Sequence, residues 1–454
     1  MSIIRNRAKK TIRLSLFLIF LIYFFPLSDY IYSQQEDIIK IPAQLRFMRI
    51  YGGDNETKPP VILIKGEDSK FNTSIGEKFI TIEFDISSNV PPSLYARFYH
   101  CTFDWIEDEN VFLNDVTLLR TSNIEWSSAP MLSRFYNYRG KLKVPNDQIK
   151  FNYAGNWKVK IFDYDDESKP FAEGRFFVVQ PKTNVDINIF GDFYSPKYPV
   201  SSSALTLEAN VTGSSNLLEN NVHTAVIYRN HRWWEPYYIS TQRKINFNQK
   251  QYRYKFPTYI SGFITYGKKF RIDRLPAENA YRILNMSNIA EFPSGGEYTR
   301  LPLSDLRRRG TFLDRDDDGA MMTTFIPFSY DDFVYVEFVL DPDGWTTNND
   351  VILVGSFNNW KPDKNWIMYY DEEERYYKLR QWVRRARHNY LYATAKYNID
   401  NETIENLAYD EFEGNTGTAG HTFISLIYYR ETEFGGYDSI IGIGAANIYG
   451  NIRR

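Results

Sequence analysis

The feature that most constrains this chain is a period-two alternation of apolar and polar residues, recurring in short runs that turn residues interrupt. Phe79-Ile80-Thr81-Ile82-Glu83-Phe84-Asp85-Ile86 shows it most clearly. Leu94 to Cys101, Trp157 to Phe162 with Val159 and Ile161 inward, and Arg175 to Val179 repeat it. Successive side chains of a strand point to opposite faces, so the pattern predicts strands and not helices. Pro91-Pro92, Pro145-Asn146-Asp147, Ala154-Gly155-Asn156 and Asp163 to Lys169 supply the turns between them. No long run carries helical periodicity.

Short strands with regular punctuation predict an all-β chain of tandem immunoglobulin-like or fibronectin-like β-sandwich domains. A first block covers residues 38–181. A middle block, 182–325, opens on alternating Val185-Asp186-Ile187-Asn188-Ile189 and continues through Leu205 to Val211 and Thr224 to Arg229. Its tail, Gly295 to Gly319, is rich in Arg and Asp and reads as a linker. A last block, 328–454, begins with Val334 to Leu340 and includes Val351 to Val354, Tyr376 to Val383, Asn389 to Ala395 and Phe423 to Tyr429. The aromatic content, 35 Tyr, 33 Phe and 9 Trp, suits both strand faces and binding surfaces.

Residues 1–33 read as an address. Arg5, Arg7, Lys9, Lys10 and Arg13 precede an apolar run, Leu14 to Phe25, that Pro26 breaks before the small Ser33. The run is shorter than the ~20 residues that span a bilayer, so the layout predicts a cleaved secretory signal peptide and no membrane span. Cys101 is the single cysteine, which rules out an internal disulfide and fits a bacterial envelope. Its apolar and aromatic neighbours predict a buried, inert thiol. A net charge of −2 gives no electrostatic reason to bind nucleic acid.

Catalytic signatures are missing: no nucleophile elbow, phosphate loop or dinucleotide fingerprint occurs. The five histidines are not spaced as metal ligands. Asp314, Asp316, Asp318 and Gly319 imitate the first half of a calcium loop, but the twelfth position is Phe325 where a bidentate Glu belongs, so a solvated acidic turn is expected. The chain is expected to have no catalytic residues, cofactor or metal. Candidate contact residues are Trp233 and Trp234, adjacent and expected to face opposite ways, and the cluster Arg384, Arg385 and Arg387, expected at the tip between two strands as a docking knob or as solubilising charge.

Val354-Gly355-Ser356-Phe357-Asn358-Asn359-Trp360 is the most specific short motif. It resembles the opening strand of glycogen-binding-type carbohydrate modules. That resemblance implies an immunoglobulin-like last domain and, as an alternative function, glycan binding by Trp360 and Trp366. Equally, the motif serves only to build the domain, with Trp360 packed inside.

Across the chain, the motifs resemble in order those of the type IX secretion system plug proteins of Bacteroidota. Tyr99-His100-Cys101-Thr102-Phe103-Asp104-Trp105 is similar to an "HC-x-x-DW" segment, and Gly155-Asn156-Trp157 to Asp163 to the strand that follows. Arg229 to Trp233, Lys269-Phe270-Arg271-Ile272-Asp273, Gly355 to Trp360, and Tyr428-Tyr429-Arg430 with Tyr437 to Gly442 complete the set. The resemblance implies a non-catalytic periplasmic subunit, associated with the outer membrane. Its partner would be the outer-membrane β-barrel translocon, whose periplasmic opening it would seal at rest.

Overall fold

The computed structural model describes residues 43–449 except 65–70, 72, 116, 197–201, 243–250, 296, 313–317 and 416–418. The predicted leader and most of the acidic turn, Asp314 to Asp317, lie outside the described residues. From Ala43 onward the chain is one compact unit. It is all-β: the only α-helix among the described residues is the single turn α1 (Asp410–Glu413).

The first stretch contributes β1 (Gln44–Gly52), β2 (Val61–Leu63), β3 (Ile80–Ser87), β4 (Leu94–Cys101), β5 (Arg120–Thr121), β6 (Glu125–Ser128), β7 (Tyr138–Val144), β8 (Gly155–Asp163) and β9 (Ala172–Val179). The middle gives β10 (Thr183–Phe193), β11 (Ser203–Gly213), β12 (Val222–Arg229), β13 (Tyr237–Ser240), β14 (Thr258–Ser261) and β15 (Lys268–Pro276). Then follow β16 (Arg282–Asn285), β17 (Thr299–Arg300), β18 (Asp305–Leu306), β19 (Phe333–Asp341), β20 (Asp350–Gly355), β21 (Tyr369–Asp371), β22 (Tyr376–Arg384), β23 (Arg387–Asn398) and β24 (Thr403–Ala408). The last strands are β25 (Thr422–Arg430) and β26 (Asp438–Asn447).

Three sandwiches result. In the first, the sheet β1-β3-β7-β6 covers β2, β9, β8, β4 and β5. The predicted alternation holds: Ile80, Ile82 and Phe84 meet Phe98, Trp157 and Val159 in one core. In the second, β10-β11-β15-β14 covers β13-β12-β25-β26, with Leu207, Val211, Ile227, Phe270, Phe423 and Ile427 inside. In the third, β16-β23-β20 faces β17 and β18 beside β19-β22-β21 around Val336, Phe338, Leu353, Tyr392 and Phe412. Each such side chain contributes about 1.5–3 kcal/mol by leaving water.

Sequence order and spatial order part at the end of the chain. β25 and β26 do not join the sheets of the strands before them; they return to pair with β12 and β9. One nine-stranded sheet therefore runs through the first two sandwiches. Gly442 and Gly444 on β26 make this possible, because a Cβ there would lie 2.1 Å from Thr183 Oγ1 and 2.3 Å from the Val185 carbonyl oxygen of β10.

Candidate functional site

The residues that join the sandwiches come first, because they decide which surface remains free. Between the first and second lies an aromatic and aliphatic seam built from Val61, Phe177, Val226, Tyr228, Leu426 and Tyr428. The turn after β4 plugs into it. Phe103 sits 5.4 Å from the His223 ring, its N–H donates to Asp438 at 3.2 Å, and the Trp105 indole N–H reaches the Tyr228 hydroxyl. His100 is buried, with Nδ1 2.5 Å from Asp108 and Nε2 3.1 Å from the Ala154 carbonyl. The His100 to Trp105 motif is thus a joint and carries no reactive group: burial pushes the Cys101 thiol up to about 12.

The seam to the third sandwich sets buried ion pairs beside a small aromatic cluster of Phe47, Tyr136 and Phe135 with Phe333 and Trp382. Arg384 is 2% exposed and pairs with Glu83, with Asp331 at 3.1 Å and with Asp85 at 3.7 Å. Arg139 adds bonds to Asp85 at 2.6 Å and to Asp331, and Arg49 bonds Glu83 and Glu56, each at 2.9 Å. Burial opposes a charge on Glu83, yet the guanidinium groups of Arg384, Arg49 and Arg139 outweigh it and hold the carboxyl well below the usual range. Arg385, also buried, donates to the carbonyls of Tyr330, Met286 and Phe292. Arg387 is half-buried, and its main chain bridges Met322. The expected exposed knob is a sealed turn, because Arg384 meets Asp331 and also Glu83 of β3, some three hundred residues earlier in the sequence.

Second and third sandwiches meet around Glu278, which Arg229 contacts at 2.6 Å and Arg232 binds as well. Burial raises Glu278, but the two arginines bring it down to about 2. Trp360 belongs to this seam. It is 1% exposed, donates to the Gly319 carbonyl at 2.8 Å and packs on Tyr281 at 4.6 Å. No face is left for a sugar, so the motif builds the domain. Within it Asn358 accepts the Gly355 N–H, and Asn359 takes φ 55° at the turn. Trp366 is half-buried and stacks on Phe357 at 4.6 Å.

Trp233 and Trp234 separate as expected, though on the turn after β12 and not within a strand. Trp233 is buried against Phe177 and Tyr228. Trp234 is half-buried and carries two cations on its ring, Arg175 at 3.7 Å and Lys361 at 4.6 Å. It lines a cleft of about 680 Å³ to which all three sandwiches contribute. One wall is the edge of β1 from Leu45 to Ile50, a second is Glu173 to Arg175 of β9, and a third includes Asn358, Trp366 and Trp382. A further groove of about 350 Å³ shares Trp234, Lys361 and Asp363 and runs on to Thr403 and Ile404.

The β1 wall is a strand edge, since β1 is outermost in its sheet. Gly53 N–H donates to the Phe79 carbonyl at 2.8 Å, so the antiparallel alternation puts Tyr51, Arg49 and Phe47 in hydrogen-bonded pairs with β3. The main-chain groups of Met48 and Ile50 then point away from β3. The Met48 carbonyl accepts the Asn359 side-chain amide at 2.7 Å. Arg46, Arg175 and Lys361, none singled out by sequence reasoning, line the cleft and form no ion pair among the described residues. Arg46 instead lies over the Phe135 ring at 4.5 Å, and Arg175 Nε is buried without a hydrogen-bond partner. A lone basic residue in the apolar run of β9 was the available signal for Arg175.

Comparison with known proteins bears on the first sandwich. Residues 49–180 match the family model described as the Type 9 secretion system plug protein 1st domain. The matched stretch runs from within β1 to the end of β9, which is most of the first sandwich. No curated protein matches the sequence. A crystal structure of a hypothetical protein from Parabacteroides merdae ATCC 43184 aligns with a TM-score of 0.68 at 19% identity, covering 89% of this chain and 97% of that one. This shows a common fold across nearly the whole molecule. Escherichia coli alpha-2-macroglobulin activated by porcine elastase gives a TM-score of 0.17 at 9% identity, over 90% of this chain and 30% of that one, and no argument rests on it.

Proposed function

We propose that this chain is a non-catalytic plug subunit that binds the periplasmic opening of the outer-membrane translocon of a type IX secretion system and seals it at rest. The observation that carries the reading is the plug-domain match over residues 49–180. The architecture suits the task. Blocking a wide pore asks for a stiff body, and here three sandwiches are joined by a shared sheet, an aromatic seam and buried ion pairs. Among the described residues no helix is long and apolar enough to cross a membrane. The chain then resides in the periplasm, held at the outer membrane by its partner.

Purification from the native envelope under mild detergent tests this. A large outer-membrane β-barrel should co-purify, and deleting the gene should make the outer membrane permeable to large solutes. Recovery of the chain without any barrel, from cells whose permeability does not depend on it, would overturn the reading.

A further inference from the structure

Three observations converge on the cleft at the junction. The first is the strand edge. Main-chain groups of Met48 and Ile50 face the cleft, and the Asn359 side-chain amide donates to the Met48 carbonyl as a neighbouring strand's N–H would. A polypeptide added alongside can take over that bond and extend the ladder, which is how extended peptides dock on open sheet edges.

The second is charge. Arg46, Arg175 and Lys361 line the cleft with no ion pair among the described residues. Of the two carboxylates on its wall, Glu173 has Lys158 at 3.6 Å, and Asp363 accepts the Asn365 N–H at 2.8 Å. The surplus is positive, and on Arg175 it includes a buried nitrogen with nothing to bond. Buried donors of this kind are costly unless something meets them.

The third is that the aromatic rings already have partners. Trp382 stacks on Phe135 at 4.7 Å and on Tyr335 at 5.2 Å, Trp366 stacks on Phe357, and Trp234 carries Arg175 and Lys361. Sugar recognition by stacking needs an open face, whereas a peptide needs walls and main-chain partners.

We infer that the cleft binds an extended, acidic segment of a partner protein, added as a strand along β1 with its carboxylates on Arg46, Arg175 and Lys361. This goes beyond the plug reading and does not need it: the test uses the purified chain with synthetic probes, so either idea can fail while the other stands.

Pooled fluorescein-labelled ten-residue peptides in which Val, Thr or Ile alternates with Glu are compared by anisotropy with a pool carrying Lys in place of Glu, and with oligogalacturonate as an acidic glycan. The Glu pool should bind and the Lys pool should not. Lys361→Glu, at an exposed position, should weaken the Glu peptides about tenfold, as removal of a close charge pair does. Hydrogen exchange at the Met48 and Ile50 amides should slow on binding. Equal binding of the two pools, an unchanged affinity in Lys361→Glu, unprotected Met48 and Ile50, or binding of oligogalacturonate in place of peptide would each overturn the inference.

Discussion

The first sandwich meets its two neighbours by different physics. Toward the second it shares a sheet and an apolar seam, in which Phe177, Tyr228 and Leu426 are fully buried and the turn holding Phe103 and Trp105 is inserted. Toward the third it presents the outer face of β3, where Thr81, Glu83 and Asp85 are buried, and Arg384, Arg139 and Arg49 make ion pairs there beside a smaller aromatic contact with Phe333 and Trp382. The apolar contact is roughly proportional to area and tolerant of detail. The ionic one is all or nothing: two buried charges are tolerable only together. The first fixes cohesion, the second fixes one relative placement of the sandwiches, and the cleft between β1 and Trp382 exists only in that placement.

The sharpest way to break the contrast is Arg384→Met. It leaves Glu83 and Asp85 buried beside one cation fewer, and should cost about 3–5 kcal/mol in urea unfolding. Arg384→Met combined with Glu83→Met should restore most of that loss; if the double variant is no better than the single, the pairing account fails. In the apolar seam, Leu426→Ala should cost about 3 kcal/mol through lost burial and the cavity left behind. Its cost should be the same at pH 5 and pH 7.

Acid distinguishes the seams next. Burial holds His388 at about 4, below the ordinary 6.5, with the positive charges of Arg384 and Arg49 assisting against its bond to the Arg384 carbonyl. The unfolded chain takes up this proton near pH 6.5 while the folded chain refuses it until about 4, so stability drops as pH falls through that window. The loss should reach about 2 kcal/mol by pH 5. His421, which burial holds at about 3, adds a similar slope over the same range, so His388→Gln should remove about half of it, and an unchanged slope would show that His388 does not contribute. The smallest effect belongs to the cleft: Lys361→Glu should shift stability by less than about 1 kcal/mol, since Lys361 is exposed and what it loses is a cation–π contact with Trp234. A larger loss would mean that the cleft wall helps to hold the sandwiches together.

Alternation in the sequence was enough to predict the strands around Phe84, Val159 and Phe338, since a sheet face repeats every second residue whatever it packs against. It could not tell which face of β3 meets water. Glu83 and Asp85 alternate with Ile82 and Phe84 as solvent-facing residues would, and it is the third sandwich with Arg384, beside Arg49 and Arg139, that makes them interior. The same distance hid the fate of Arg384 and Arg385, which a local reading takes for an exposed tip. Strand alternation predicts the split of Trp233 from Trp234, whereas the pair sits on a turn, where Trp233 is the more buried of the two. Arg175 and Lys361 were not legible, because an absent ion pair is a property of three-dimensional neighbours. Nor does alternation state which sheet a strand joins, and so the return of β25 and β26 was invisible.

That return sets an order of events for a chain made from its N-terminus. Until residues 422–447 arrive, β9 and β12 have no strand between them, and the second sandwich lacks Phe423 and Ile427 from its core. An unpaired edge of β12 and an uncovered apolar sheet are what holding factors recognise and what neighbouring chains mispair with. The second sandwich is therefore completed only by the end of the chain, and a chain shortened before β25 would lack Phe423 and Ile427 from that core.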